Sequence, residues 1–320
     1  RWKIKQDWHL SKPDLLTAYF LQISPSQSYL IQQFNPEDSS IIFSEPLTEE
    51  FTGSDFSLTA HEEAPVLAAR LATATPINQS LPPMEMRLGT TRGTNALLER
   101  IGAKTTLLGT KGFKDLLVIG TQQRPHIFSL NIQKPAPYYE NVIEVDERLN
   151  AEGDAVVLLA EDEMNRVQQQ LATSQPESVA IALMHSYCNP THEQQLARVL
   201  PKEKFPYVSV SSQLSPSQKI VPRASTALVN AYLAPIIHHY LDRIGKHVPD
   251  GSLKVMSSAG GLADANLFQP KDSLLSGPAG GVVGAVSVLK QVQSQFPDFQ
   301  RLLSLDMGWT STVVSRYDWE

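Results

Sequence analysis

Residues 303–315, LSLDMGWTSTVVS, place an aspartate at the end of an apolar run, then one glycine and three consecutive hydroxyl residues. That order suits a strand-turn-strand that holds phosphate. Asp306 can reach a metal ion or its waters, while backbone N–H groups and the hydroxyls of Thr310, Ser311 and Thr312 meet phosphate oxygens. A glycine belongs wherever the backbone must approach the anion. Gly308 satisfies this, but the next residue is Trp309, the largest side chain available. Further glycine runs with a hydroxyl beside them occur in SSAGGL (257–262) and SGPAGGVVGA (276–285), and Gly89, Thr90, Thr91, Thr94 and Asn95 cluster in LGTTRGTN. Close backbone approach to a ligand is one reading of the glycines, and tight strand-to-helix turns are the other. Thr94 or Asn95 capping the helix that follows explains one or two of that run but not all of it.

These residues need elements to hold them. Residues 61–75 carry apolar side chains three and four apart and predict a helix. Residues 81–120 alternate strand, Gly/Thr turn, helix, strand and helix, the rhythm of a parallel α/β lobe. The stretch that begins at Glu161 repeats helix, apolar strand, proline-marked turn and helix, and 205–214 adds a strand. A long helix is predicted over 225–248, with Leu228, Tyr232, Ile236, Tyr240 and Ile244 along one face and Pro235 as a kink. SLKVM then reads as a strand, followed by two Gly-rich turns, a helix and the strand into Asp306. Residues 1–60 are the least readable part, mixing polar stretches with short apolar runs.

Composition narrows the classes. The 320 residues exceed one ordinary domain, and 42% hydrophobic with 19% charged is globular. A net charge of −6 with no Lys/Arg block gives no footprint for nucleic acid. No uninterrupted apolar run approaches the roughly 20 residues that span a bilayer, and a soluble, cytoplasmic protein is the expectation. One cysteine, Cys188, excludes an internal disulfide framework. His185, Cys188, His192 and Glu193 lie close in sequence, yet their spacing matches no zinc template, and NPTHE reads as a turn that opens a helix. No Gly-x-Ser-x-Gly elbow is present.

Eight segments in order carry a resemblance: MRLGTTRGTNALLERIGA (86–103), KGFKDLLVIGTQQRPHIFSLNI (111–132), EVDERL (144–149), HSYCNPTHE (185–193), STALVNAYLAP (225–235), SSAGGL, SGPAGGVVGA and DMGWTST. The chain resembles the ATP-dependent oxoprolinase/hydantoinase A family, within it the 5-oxoprolinases. The resemblance implies actin/hexokinase-like ATPase lobes with mixed sheets that close over Mg-ATP. It also implies opening of the 5-oxoproline lactam to glutamate, with a hydantoinase B-type subunit as partner and room for a homo-oligomer. On this basis residues 1–215 are an N-terminal-type α/β domain, and 216–320 begin a hydantoinase A-type ATPase domain whose second lobe is incomplete.

The implied site follows residue by residue. Asp306 and Asp7 are the catalytic and metal-holding carboxylates. Gly308, Thr310, Ser311, Thr312, Gly280 and Gly281 meet the nucleotide. Thr90, Thr91, Asn95 and Arg124 meet the substrate, with Arg124 a partner for a carboxylate or for a structural ion pair.

Two departures bear on activity. The first family loop reads D-x-G-G-T-F-T-D, and here DWHLSKPD keeps Asp7 and Asp14 but puts His9 and Leu10 at the glycines and Pro13 at a threonine. Holding glycine-only dihedrals there costs about 1–3 kcal/mol each. In the second loop Trp309 replaces a glycine and Val313 the final aspartate, and an indole there fills the phosphate pocket or twists the hairpin. The expectation is therefore a 5-oxoprolinase-like protein, with a non-catalytic fragment or pseudoenzyme and a hydantoinase or ketone carboxylase subunit as the other readings.

Overall fold

A computed structural model describes residues 2–3, 12, 14–24, 26–45, 55–121, 128, 130–132, 134–292, 295, 301–307 and 312–318. In chain order the first elements are β1 (Trp2–Lys3), β2 (Phe20–Ser24), β3 (Gln27–Asn35), β4 (Ser40–Phe43), β5 (Ser57–Thr59), α1 (Ala64–Thr73) and β6 (Glu85–Leu88). Then come α2 (Arg92–Glu99), β7 (Thr105–Thr110), α3 (Leu116–Ile119), β8 (Asn141–Val145), β9 (Arg148–Leu149), β10 (Ala155–Val157) and α4 (Glu161–Ser174). They are followed by β11 (Ser178–Ala182), α5 (Thr191–Val199), β12 (Val208–Val210), α6 (Ser211–Leu214) and α7 (Ile220–Gly245). The last are β13 (Ser252–Met256), β14 (Leu262–Asp264), α8 (Ser276–Val292), β15 (Arg301–Met307) and β16 (Thr312–Asp318).

Cα packing divides the chain into two compact units, Arg1–Leu88 with Tyr240–Val255, and Gly89–His239 with Met256–Glu320. The first holds an antiparallel sheet of order β1-β4-β3-β2-β5 and a parallel β6–β13 pair. Its core of Leu16, Tyr19, Leu21, Ile31, Phe34 and Ile41 is closed by α1 through Leu67 and Leu71. This sheet is the part that residues 1–60 left unread.

In the second unit a four-stranded parallel sheet runs β12-β11-β7-β8. Every residue of β7 and β11 is buried, as expected of parallel strands covered on both faces. One face packs Val167 and Leu171 of α4 and Leu196 of α5 against Leu108, Val179 and Ile181. The other packs Ala224, Ala227, Leu228 and Ala231 of α7 against Leu107, Ala180 and Ala182. α7 is the one described helix long and apolar enough to cross a membrane by length and composition. Those four residues instead serve as core, and the helix starts five residues before the predicted Ser225.

Candidate functional site

Several of the residues singled out above meet at α8. The sequence predicts a Gly-rich turn at SGPAGG, but the helix begins at Ser276 and takes in all of it. Pro278 fits the first turn, where its missing N–H has no intrahelical partner to lose. Ser276 is fully buried, and its hydroxyl lies 2.9 Å from the Thr90 carbonyl and 3.0 Å from the Ser273 carbonyl. The Thr90 N–H donates back to it at 3.4 Å. The 89–95 segment is thereby tied to the helix start.

α2 adds to that tie. The Thr94 hydroxyl donates to the Leu274 carbonyl. A Cβ on Gly93 would stand 2.1 Å from the Ser273 hydroxyl, which would have to turn away from it. Neither Thr94 nor Asn95 caps α2, because both lie inside it. The N-cap position belongs to Thr91, which makes no side-chain cap bond, and the Arg92 N–H donates to the Thr90 hydroxyl at 3.2 Å. Thr90 is buried and already partnered, whereas Thr91 is exposed and Asn95 half-buried.

The SSAGGL segment forms a turn closed by Ser257 N–H to Gly261 O at 2.8 Å, and Gly260 adopts φ +82°, a left-handed conformation suited to glycine. The Ser258 hydroxyl donates to Asp272 O at 2.7 Å and accepts from the Leu275 N–H at 3.0 Å, which ties this turn to the approach of α8. Cβ atoms built on Gly260 and Gly280 would meet Val283 at 3.3 Å and Met256 at 3.7 Å.

On the same helix, the Asp306 carboxylate lies against Gly281. A Cβ there would be 2.0 Å from its Oδ2. In the β15–β16 hairpin Asp306 pairs with Val313 and Leu305 with Val314. Asp306 is exposed, and so is Thr312 opposite Met307. Asp7, Arg124, Gly308, Thr310 and Ser311 lie outside the described residues, as do His9, Leu10, Pro13 and Trp309. Thus α8 unites Thr90, Gly280, Gly281 and Asp306, with Thr91 within 3.9 Å of a Cβ on Gly277. Sequence reasoning missed Ser258, Ser273 and Ser276. They sit inside or beside the motifs already picked out, but Ser276 finds Thr90 across 186 residues and Ser258 finds Asp272 across 14.

The histidine, cysteine and glutamate cluster is taken apart by burial. His192 Nδ1 meets Glu147 Oε2 at 2.8 Å, and Glu147 also accepts from the Thr110 hydroxyl. Glu193 accepts from Leu183 N–H (2.8 Å), Ser186 (2.8 Å), Ser211 (2.6 Å) and Ser212 N–H (2.9 Å). Arg223 lies 3.5 Å from it, fully buried, donating to Leu183 O at 2.8 Å. Burial pulls the Arg223 guanidinium below its ordinary value, and Glu193 opposes that. Cys188 is exposed, its Sγ 3.3 Å from Glu152 O. His238 stacks on Tyr207 with centroids 5.6 Å apart, and His239 meets the Tyr207 hydroxyl at 3.3 Å.

A covered parallel sheet beside a hairpin that carries an aspartate onto a glycine-bearing helix belongs to the hydantoinase-type ATPase fold. The ATP-dependent caprolactamase from Pseudomonas jessenii has this fold, with a TM-score of 0.63 at 22% identity over 92% of this chain and 43% of that one. The chain belongs to the hydantoinase/oxoprolinase family: residues 57–204 match the Hydantoinase/oxoprolinase N-terminal region and residues 223–320 match Hydantoinase/oxoprolinase. It is 39% identical over 262 residues to the 5-oxoprolinase of Saccharomyces cerevisiae, covering 72% of this chain and 20% of that one. With 5-oxoprolinase 1 of Arabidopsis thaliana the identity is 42% over 256 residues, 73% of this chain and 20% of that one. The chain therefore spans about one-fifth of the length of these relatives.

Proposed function

We propose that the chain is part of a 5-oxoprolinase-type protein that uses ATP to open 5-oxo-L-proline to L-glutamate. The observation that carries this is the likeness of about 40% to proteins named 5-oxoprolinase, together with an exposed carboxylate seated on α8. A five-membered lactam is a resonance-stabilised amide, and ATP supplies the phosphoryl group that turns its oxygen into a leaving group. The residues present fit a magnesium nucleotide at one point: Asp306 is exposed and backed by a helix that leaves room for its carboxylate. Asp306 would hold the metal or one of its waters, with Asp7 as the second carboxylate, and Gly280, Gly281 and Thr312 beside the nucleotide. Gly308, Thr310 and Ser311 complete that assignment. Charge on a transferring phosphoryl group needs such fixed partners.

Substrate falls to Thr91 and Asn95, which are more accessible than the buried Thr90, and to Arg124 for the substrate carboxylate. A hydantoinase B-type partner, a cytoplasmic location and a division into domains near residue 215 belong to the same reading. Calorimetric titration with Mg-ATP, with and without 5-oxoproline, tests it. Micromolar binding that 5-oxoproline strengthens is the expected result. No heat at millimolar nucleotide would leave a non-catalytic relative of the same fold.

A further inference from the structure

Helix α8 carries four glycines within eight residues, at 277, 280, 281 and 284. Glycine inside a helix is less favourable than alanine, so each needs a local reason. For three of them the space around a built Cβ gives no steric one. A Cβ on Gly277 would meet Thr91 at 3.9 Å, one on Gly280 would meet Met256 at 3.7 Å, and one on Gly284 would point into open space. Gly281 differs. Its Cβ would fall 2.0 Å from Asp306 Oδ2 and 3.1 Å from Asp306 Cγ. Asp306 has little freedom to yield at the backbone, because the β15–β16 ladder fixes it opposite Val313. Relief must come from swinging the carboxylate off the helix.

We propose that Gly281 is a positioning residue: its missing side chain seats the Asp306 carboxylate against α8 and so sets where that carboxylate holds the metal or its water. This rests on the assignment of Asp306 to the magnesium nucleotide. It gives Gly281 a different task from touching the nucleotide itself. The same helix, five residues earlier and about 7.5 Å along its axis, is locked to Thr90 by the buried Ser276 hydroxyl. α8 is thereby the common gauge for the 89–95 segment and for the carboxylate.

The test compares Gly281→Ala with Gly284→Ala, each with Asp306 intact and with Asp306→Ala. Thermal unfolding and Mg-ATP affinity are measured for every variant. Gly284→Ala should raise Tm by roughly 2 °C and leave affinity alone. Gly281→Ala should gain less Tm than Gly284→Ala, because the exposed Asp306 carboxylate must swing aside, and should become as stabilising as Gly284→Ala once Asp306→Ala removes the contact. Its Mg-ATP affinity should fall about fivefold or more, a loss that a merely tighter helix would not produce. Gly281→Ala raising Tm by as much with Asp306 present as with Asp306→Ala would overturn the seat.

Asp306→Asn separates this inference from the reading beneath it. If Asp306→Asn weakens Mg-ATP and Gly281→Ala does not, the positioning role is wrong and the nucleotide assignment stands. If Asp306→Asn changes nothing, the nucleotide assignment falls and the positioning role falls with it.

Discussion

Two regions of the same unit are built in opposite ways. The parallel sheet of β7, β8, β11 and β12 has both faces covered, with buried hydrogen-bond networks around Glu193 and Glu147. In the β15–β16 hairpin the order is reversed. Ser304, Asp306 and Ser315 share the face turned to α8, while Leu303 (72%), Leu305 (67%), Met307 (76%) and Val314 (66%) point away and stay exposed. The candidate carboxylate thus rests on an element that draws little support from hydrophobic burial, and its position depends on α8. Stability and chemistry are assigned to different places, so substitutions should separate them.

The largest effect should come from the sealed region. Arg223→Ala leaves Glu193 buried without its cation, and breaking a buried pair costs about 3–5 kcal/mol. Denaturant unfolding measures this, and a loss under about 1 kcal/mol would mean that the serines and amides around Glu193 suffice. Next is Gly102→Ala, whose Cβ would land 2.0 Å from the Tyr232 ring, for a loss of about 1–3 kcal/mol in the same assay.

A smaller, pH-dependent effect belongs to Glu163. The Arg166 guanidinium, at 2.6 Å, holds its carboxyl below the usual range, helped by the Asp146 N–H and opposed by burial. A carboxyl lowered in the folded state contributes stability above its unfolded value of about 4.3 and loses it as pH falls through the folded one. Glu163→Gln should therefore cost about 1 kcal/mol at pH 7 and much less near pH 3. Equal cost at both would show that the pair does not act through charge. Smallest is Leu305→Ser, expected within about 0.5 kcal/mol in monomer stability, because the side chain is already in water. A large loss would mean that the hairpin is covered in solution.

Much of the sealed region was legible. The spacing around 161–200 places α4, β11 and α5, and hydrophobic runs such as TTLLGT mark strands that become fully buried. The antiparallel sheet of residues 20–59 was not. β3 buries only Ile31 and Phe34 along QSYLIQQFN, and its pairing with β4 shifts register between Ile31 and Gln33, so period-two alternation is broken. At the site, Asp306 and the glycines stand out by type. What periodicity cannot carry is partnership. Ser276 meets Thr90 across 186 residues, and Gly281 meets Asp306 across a helix, a connection and a strand. SGPAGG misleads for the same reason: its glycines suggest a turn until the carboxylate that fills the space at Gly281 is known.

The Glu193 carboxylate also has a kinetic meaning. It gathers the strand-end amide of Leu183, the loop hydroxyl of Ser186, both α6 serines and the start of α7 through Arg223. Each of these loses a bond to a buried carboxylate when it opens, so four stretches of chain are coupled through one side chain. Amide hydrogens at Leu183 and Ser212 should exchange with deuterium together and slowly, as one cooperative block.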